Sequence, residues 1–269
     1  MPELPEVETV RKSLEDTIIN KKIVQVEVFY PKVLQGIQNG EEVLQEKSFS
    51  KILRRGKYLL LLLKPNGVLL CHLRMTGKLS YQETLVLKKH DHLVFTLDEG
   101  WLIYSDIRKF GGLVYYETLE EAKASIGHLG KEPLSENFTP EYLYQKSRGK
   151  KKALKAFLLD QSIIAGIGNI YADEILFRAK LHPMKPSLEL TKEACERLVF
   201  SIKIILEDAI ILGGSSIQNY SDALGKKGSF QEKHEVYGRS NQACKVCQHV
   251  LEKIQVAGRT TTYCPNCQR

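Results

Sequence analysis

Four of the six cysteines in this 269-residue chain, Cys244, Cys247, Cys264 and Cys267, form two CxxC pairs with sixteen residues between them. Thiolates at that spacing bind zinc tetrahedrally, two from each turn. Closing such a site pins a hairpin whose strands would run from Leu251 to Tyr263, and the metal stabilises a segment too short to hold a core. One structural zinc is therefore expected, with a disulfide pair or a redox dithiol as the competing reading. Cys71 and Cys195 lie in apolar stretches and read as packing residues. Lys253, Arg259 and three threonines decorate the hairpin, where a rigid support could present a cation to a phosphate. The alternative is ordinary surface charge.

Three other groupings invite chemistry. Gly166 and Gly168 precede Asn169 at the start of a helical pattern, where glycines let a backbone approach a phosphate and a helix N-terminus favours the anion. Without a preceding strand the GxG is no dinucleotide fingerprint. The run RGKKKALK, Arg148 to Lys155, could track a phosphate backbone through Lys155, although charge runs are more often solvated faces. His90, Asp91 and His92 are good metal ligands, and alternation along a strand would point both histidines to one face. No third ligand is apparent nearby, so this group reads as hydrogen-bonding structure.

These residues need elements to position them. Val7, Val10, Leu14 and Ile18 recur at helical spacing over Val7 to Ile19. From Lys22 to about Tyr116 the pattern becomes short β-type runs, IVQVEVFY, YLLLLL, GVLLCHL, HLVFTL, WLIYSD and GLVYYE, separated by turn residues. An antiparallel β-sandwich or barrel is expected there. Helical patterns follow at Pro140 to Lys146, Lys152 to Leu159, Tyr171 to Ala179 and Thr191 to Leu212. GGSSIQNYSDALGKKG, Gly213 to Gly228, reads as a mobile loop. An α+β multidomain fold class is expected, with a sandwich domain at 1–132, a helical domain with its loop at 133–228 and a zinc finger at 229–269.

Thirty-nine Lys and Arg against 32 Asp and Glu give a formal charge of +7, which suits a polyanionic partner without requiring one. Apolar runs such as Tyr58 to Leu63 fall far short of the ~20 residues that span a bilayer. The amino terminus has neither the basic stretch nor the apolar core of a signal peptide. A reducing, cytoplasmic setting is expected, with no membrane partner.

MPELPEVETV, RRGKYLLL, HLRMTG, KHDHL, DIRKFGG, AGIGNIYADEILF and the cysteine motif, in that order along the whole chain, resemble the bacterial formamidopyrimidine-DNA glycosylases. The resemblance implies a β-sandwich joined to a helix-two-turn-helix domain with a zinc finger, a monomer with duplex DNA across the cleft, and no catalytic metal. Oxidised bases and abasic sites would be the substrates, with nucleoid association when DNA is bound.

In that family the initiator methionine is removed and the residue matching Pro2 becomes a secondary amine that attacks the damaged nucleotide. A terminal amine has a reference pKa of ~7.7–8.0, so roughly 10–20% is neutral at pH 7. Secondary amines are more basic, and burial or a cation such as Lys57 could lower the value. Glu3 matches the general acid and base, Glu6 a carboxylate that holds Pro2 and the opened sugar, and Lys57 the lysine that contacts the lesion's phosphate. Glu6 could instead merely favour the helix dipole. Arg259 joins this catalytic set as a phosphate ligand, alongside Asn169.

Met75, Arg108 and Phe110 match the residues that fill the hole left by an everted nucleotide, and His90 lies among the residues expected at the DNA. Isolated Met and Phe are more often core residues. Ile217 to Tyr220 would cap an oxidised purine through backbone amides. Thr76 stands where several relatives carry an acidic residue, so no lesion contact is carried to it. The PELPE start and the loop favour purine lesions over the oxidised pyrimidines of the sister endonuclease VIII, whose start typically reads PEGPE. A zinc-ribbon protein that binds DNA without cutting it would have no need of Pro2, Glu3 and Lys57 in register.

Overall fold

The computed structural model describes every residue except 39, 218 and 219, with the side chains of 40 and 41 also left aside. It divides into two compact units, Met1–His128 with Gly213–Ser229, and Leu129–Leu212 with Phe230–Arg269.

The first unit opens with α1, Leu4–Ile18, three residues earlier than apolar periodicity predicts. Pro5 is compatible with a first turn, where its missing N–H has no helical partner, and Glu3 is the N-cap. Val7, Val10, Leu14 and Ile18 are all buried, each contributing roughly 1.5–3 kcal/mol by leaving water. They meet a core shared by two sheets. Chain order then gives β1 (Ile23–Val28), β2 (Leu34–Gln35), α2 (Gly40–Leu44), β3 (Ser48–Arg55), β4 (Tyr58–Lys64), β5 (Val68–His72), β6 (Gly77–Gln82), β7 (Asp91–Leu97), β8 (Trp101–Asp106), β9 (Gly112–Tyr116) and α3 (Leu119–Ser125).

One sheet has the order β2-β9-β5-β4-β3 and the other β1-β7-β8-β6. Every pairing is antiparallel except the short parallel match of β2 with β9. Leu59, Leu61 and Leu69 of the first sheet and Leu93, Phe95 and Leu102 of the second share the core, with Phe49 edge-on to Phe95. The sandwich is as expected. Three of its strands were not legible, all at sheet edges: β2 has only two residues, and in β3 and β6 charged and polar residues interrupt the apolar signal.

The second unit holds α4 (Pro140–Ser147), α5 (Leu154–Leu159), α6 (Asn169–Arg178), α7 (Lys192–Ile211), β10 (Glu252–Val256) and β11 (Arg259–Tyr263). Between α5 and α6 lie two tight turns. Asp160 O accepts from the N–H groups of Ile163 and Ile164 at 2.9 and 3.0 Å, and the Gln161 side chain bridges Gly166 N and Ile167 O, both at 2.8 Å. This is the helix-two-turn-helix. β10 and β11 are joined through Ala257 and Gly258, both at positive φ (49° and 69°), the geometry of a two-residue hairpin turn.

The domain plan read from sequence differs in two places. Residues 213–229 belong with the sandwich, because Tyr81 N donates to Ala223 O at 2.9 Å and Ala223 N to Ser13 Oγ at 3.1 Å. The ends of that loop touch: a Cβ on Gly228 would lie 2.2 Å from Gly214 O. The cysteine hairpin groups with the helices, and residues 129–132 join them through Gly130 and Lys131, which pair with Gln161 and Ile163.

Candidate active site and nucleic-acid interface

The start of α1 is built around one carboxylate. Glu6 Oε2 accepts from Glu3 N and Glu6 Oε1 from Ser215 N, both at 2.8 Å, while the Tyr220 hydroxyl donates to Glu6 O at 3.1 Å. Glu3 and Glu6 are buried and Pro2 half-buried. Glu6 therefore does more than favour a helix dipole: it fastens the N-cap residue and the loop to each other. Burial and the nearby Glu6 carboxylate push the Tyr220 phenol far up, so it remains a neutral donor. Ile217 is exposed, whereas Tyr220 packs on the sandwich core; Gln218 and Asn219, the middle of the capping segment, lie outside the described residues.

Lys57 is buried at the turn between β3 and β4, after Gly56 at φ +56°. Glu8 of α1 accepts from Arg11 at 2.9 Å and from Arg54 of β3 at 2.8 Å, which ties this hairpin to the helix that begins at Glu3. Across the β4–β5 pair, Tyr58 faces His72, ring against ring edge at 4.5 Å. Burial, Arg74 and Lys57 together depress the His72 imidazolium to about 3, and the neutral ring accepts the Arg74 N–H at 2.9 Å through Nδ1. His72 belongs with the site residues. It was not singled out in HLRMTG because its membership depends on the register of β4 against β5.

Met75 and Phe110 are 38% and 58% exposed, so neither is a core residue. The Arg108 guanidinium lies 4.6 Å from the centre of the Phe110 ring. His90 O accepts from Asp106 N at 3.0 Å, which brings His90 to the end of β8 where the Arg108 turn begins. His92 is buried with Nε2 2.8 Å from Asp106 O. A bulge between Asp91 and Leu93 breaks the alternation expected here. Among the described residues the cysteine quartet alone gathers three or more potential metal ligands, and the His92 ring is engaged with Asp106 O.

In the second unit Lys155 does not track a backbone. Its side chain has 0% exposure, and Nζ lies 2.6 Å from Asp173 Oδ1 while donating to Thr260 O at 3.0 Å and Thr261 Oγ1 at 2.8 Å. The ammonium knits α5, α6 and β11 together. Burial pushes the Asp173 carboxyl up to about 7, against the pull of that ammonium and of the Thr262 N–H. Elsewhere in the basic run, Arg148 donates to Leu190 O at 2.6 Å and Lys152 pairs with Asp160 at 2.6 Å. Lys151, in the same run, is exposed. Charge counting could not separate it from its neighbours, because the difference lies in their partners.

Asn169, at the first position of α6, donates to Thr260 O at 3.1 Å, and Arg259 is exposed one residue earlier on the same strand. Arg259→Ala is expected to weaken binding to DNA of any sequence and to flatten the log–log salt slope by about 0.9, one phosphate contact. Titrations at several salt concentrations check this, and an unchanged slope removes Arg259 from the interface.

The cysteine sulfurs lie within 4.8 Å of one another, with Cys247–Cys264 at 3.4 Å and Cys244–Cys267 at 4.0 Å. Zn–S bonds of about 2.3 Å in a tetrahedron place sulfurs about 3.8 Å apart. The donor set fits zinc and no disulfide is formed. Cys244 and Cys264 pack with Leu251 against Phe177 and Val236, and Glu174 of α6 accepts three successive N–H groups, from Glu235, Val236 and Tyr237, at 2.8–3.0 Å.

Together these features define a class: proteins that pair a β-sandwich, led by an acid-capped helix, with a helix-two-turn-helix and a four-cysteine finger. Comparison with known proteins makes it specific. Residues 1–113 match the formamidopyrimidine-DNA glycosylase N-terminal domain, 129–221 its H2TH domain, and 241–269 the zinc finger found in FPG and IleRS. The chain is 42% identical over 272 residues to a formamidopyrimidine-DNA glycosylase of Desulfitobacterium hafniense and 43% over 272 residues to that of Lactococcus lactis, covering 100% of both chains in each case. A Lactococcus lactis Fpg variant bound to Fapy-dG-containing DNA superposes with a TM-score of 0.94 at 41% identity over 100% of both chains. The wild-type enzyme of that organism with DNA containing an oxidised pyrimidine gives 0.92 at 40%, again over 100% of both. This chain belongs to the formamidopyrimidine-DNA glycosylase family.

Proposed function

We propose that the protein is a base-excision-repair glycosylase and abasic-site lyase that removes oxidised purines, 8-oxoguanine and formamidopyrimidines, from duplex DNA. The observation that carries this reading is the family match through three segments in order, with Pro2 and Glu3 placed at the start of α1.

Removal of Met1 turns the Pro2 imide nitrogen into a secondary amine. That nitrogen attacks the anomeric carbon, and the glycosidic C–N bond breaks with its electron pair leaving on the base. Glu3 protonates the ring oxygen as the sugar opens, leaving an iminium. The iminium acidifies the adjacent carbon; loss of that proton expels the 3′ phosphate, and a second elimination expels the 5′ phosphate. Glu6 holds the reacting end, a role that its bonds to Glu3 N and Ser215 N support. Lys57, Asn169 and Arg259 hold phosphates.

Met75, Arg108 and Phe110 fill the space of the everted nucleotide, with His90 beside them at the DNA, and the segment Ile217 to Tyr220 covers the base. The four cysteines hold one zinc whose role is structural. No helix among the described residues is long and apolar enough to cross a membrane, and reduced thiolates suit a cytoplasmic monomer.

The test is borohydride trapping on a duplex with one 8-oxoguanine opposite cytosine, beside a duplex with an oxidised pyrimidine. A covalent complex formed preferentially on the purine supports the reading. Preferential trapping on the pyrimidine moves the substrate class to that of the sister enzyme, and binding without trapping on either substrate, with Met1 absent, leaves a non-catalytic binder.

A further inference from the structure

Asp106, at the end of β8, is buried, and its carboxylate serves two turns at once. Oδ1 accepts from Arg108 N at 3.1 Å, and Oδ2 accepts from Phe110 N at 3.0 Å and Gly111 N at 2.8 Å. The Thr76 hydroxyl forms a short hydrogen bond with Asp106 Oδ1 and also accepts from Arg108 N at 3.0 Å. A carboxylate can only accept, so the hydroxyl proton goes to Asp106 and an oxygen lone pair receives the Arg108 N–H. Thr76 is thereby the bridge between the turn that carries Met75 and the turn that carries Arg108 and Phe110.

Both turns need such support. Arg74 and Lys109, next to Met75 and between Arg108 and Phe110, are non-glycine residues at φ +50° and +56°, a strained conformation for a residue with a Cβ. The turns also close on one atom. A Cβ at Gly77 would lie 2.5 Å from the Tyr104 hydroxyl oxygen, and one at Gly111 2.2 Å from it, so glycine at both places lets the two segments converge there. Asp106 and the Tyr104 ring are buried, while Met75, Arg108 and Phe110 are exposed.

We infer that Thr76 and Asp106 are a positioning pair that fixes the Met75 wedge in register with Arg108 and Phe110, so that filling the gap and reading the opposite base occur as one event. The inference rests on the glycosylase reading. It assigns Thr76 a role through its hydroxyl, with no contact to the damaged base. An acidic residue at 76 would face the Asp106 carboxylate and could not make this bridge while both were ionised.

The experiment compares wild type, Thr76→Val, which keeps the shape and loses the hydroxyl, and Thr76→Ser, which restores it. Each is bound at saturation, at a temperature where circular dichroism shows it folded, to a duplex with a tetrahydrofuran abasic analogue opposite 2-aminopurine. Single-turnover excision of 8-oxoguanine opposite cytosine and opposite adenine is measured in parallel. Thr76→Val is expected to lose at least half of the emission change that wild type produces and to reduce the cytosine-over-adenine preference at least fivefold, with Thr76→Ser within twofold of wild type on both. A Thr76→Val protein within twofold of wild type on both readouts overturns the pair. So does Thr76→Ser behaving as Thr76→Val does. Wild type that alters the emission but excises from neither duplex overturns the glycosylase reading alone, and the fluorescence series still decides the pair.

Discussion

Protein that carries any residue before Pro2, whether retained Met1 or an added tag, is expected to lose borohydride trapping and strand cleavage by at least about a thousandfold. An acylated proline nitrogen has its lone pair in the amide and no proton to lose, so neither attack nor iminium formation is open to it. Binding to a duplex with a tetrahydrofuran site should persist, because Asn169 and the Arg259 hairpin are untouched. Mass spectrometry of the N-terminus, paired with single-turnover cleavage, checks the point. Cleavage at the normal rate by chains that uniformly retain Met1 would place the nucleophile elsewhere.

Replacing Cys247 with Ser is expected to bring zinc below one per chain and to weaken DNA binding by at least about tenfold. Structural zinc contributes on the order of 10–16 kcal/mol in small fingers, and the hairpin here has little else of its own: β10 is largely exposed, and the knuckle's apolar contacts converge on Phe177 and Val236. The Lys155 cluster holds only one side of β11. Loss of the metal therefore frees Arg259 from its support. None of the four zinc cysteines lies in the sandwich core, which should keep its melting behaviour. Metal analysis by mass spectrometry and a binding titration decide it, and normal zinc content with unchanged affinity would remove the ribbon assignment.

Where one element repeats one signal, the sequence was a sufficient guide. The apolar positions of α1, the runs that became β4, β5, β7 and β8, and the two CxxC pairs each carry their geometry locally. The parts that stayed hidden depend on distant partners. Lys155 is indistinguishable from Lys151 as a letter in RGKKKALK; only the position of Asp173 on α6 and of Thr260 and Thr261 on β11 buries one and leaves the other exposed. His72 joins the site because β5 pairs with β4 in one register. Asp106 in WLIYSD looks like a strand end facing water, yet it accepts hydrogen bonds from two turns. The loop from Gly213 read as an appendage of the helical segment before it, while its anchors, Glu6, Ser13 and Tyr81, all lie in the first 81 residues.

The pinched neck of that loop, where Gly228 meets Gly214, has a consequence for how such proteins diversify. Because the two ends are already held together, the stretch between them is a cassette: lengthening it changes closure entropy by only about 0.6 kcal/mol per doubling. The stretch between Gly214 and Gly228 can thus be lengthened or rewritten at small entropic cost while the start of α1 keeps its place.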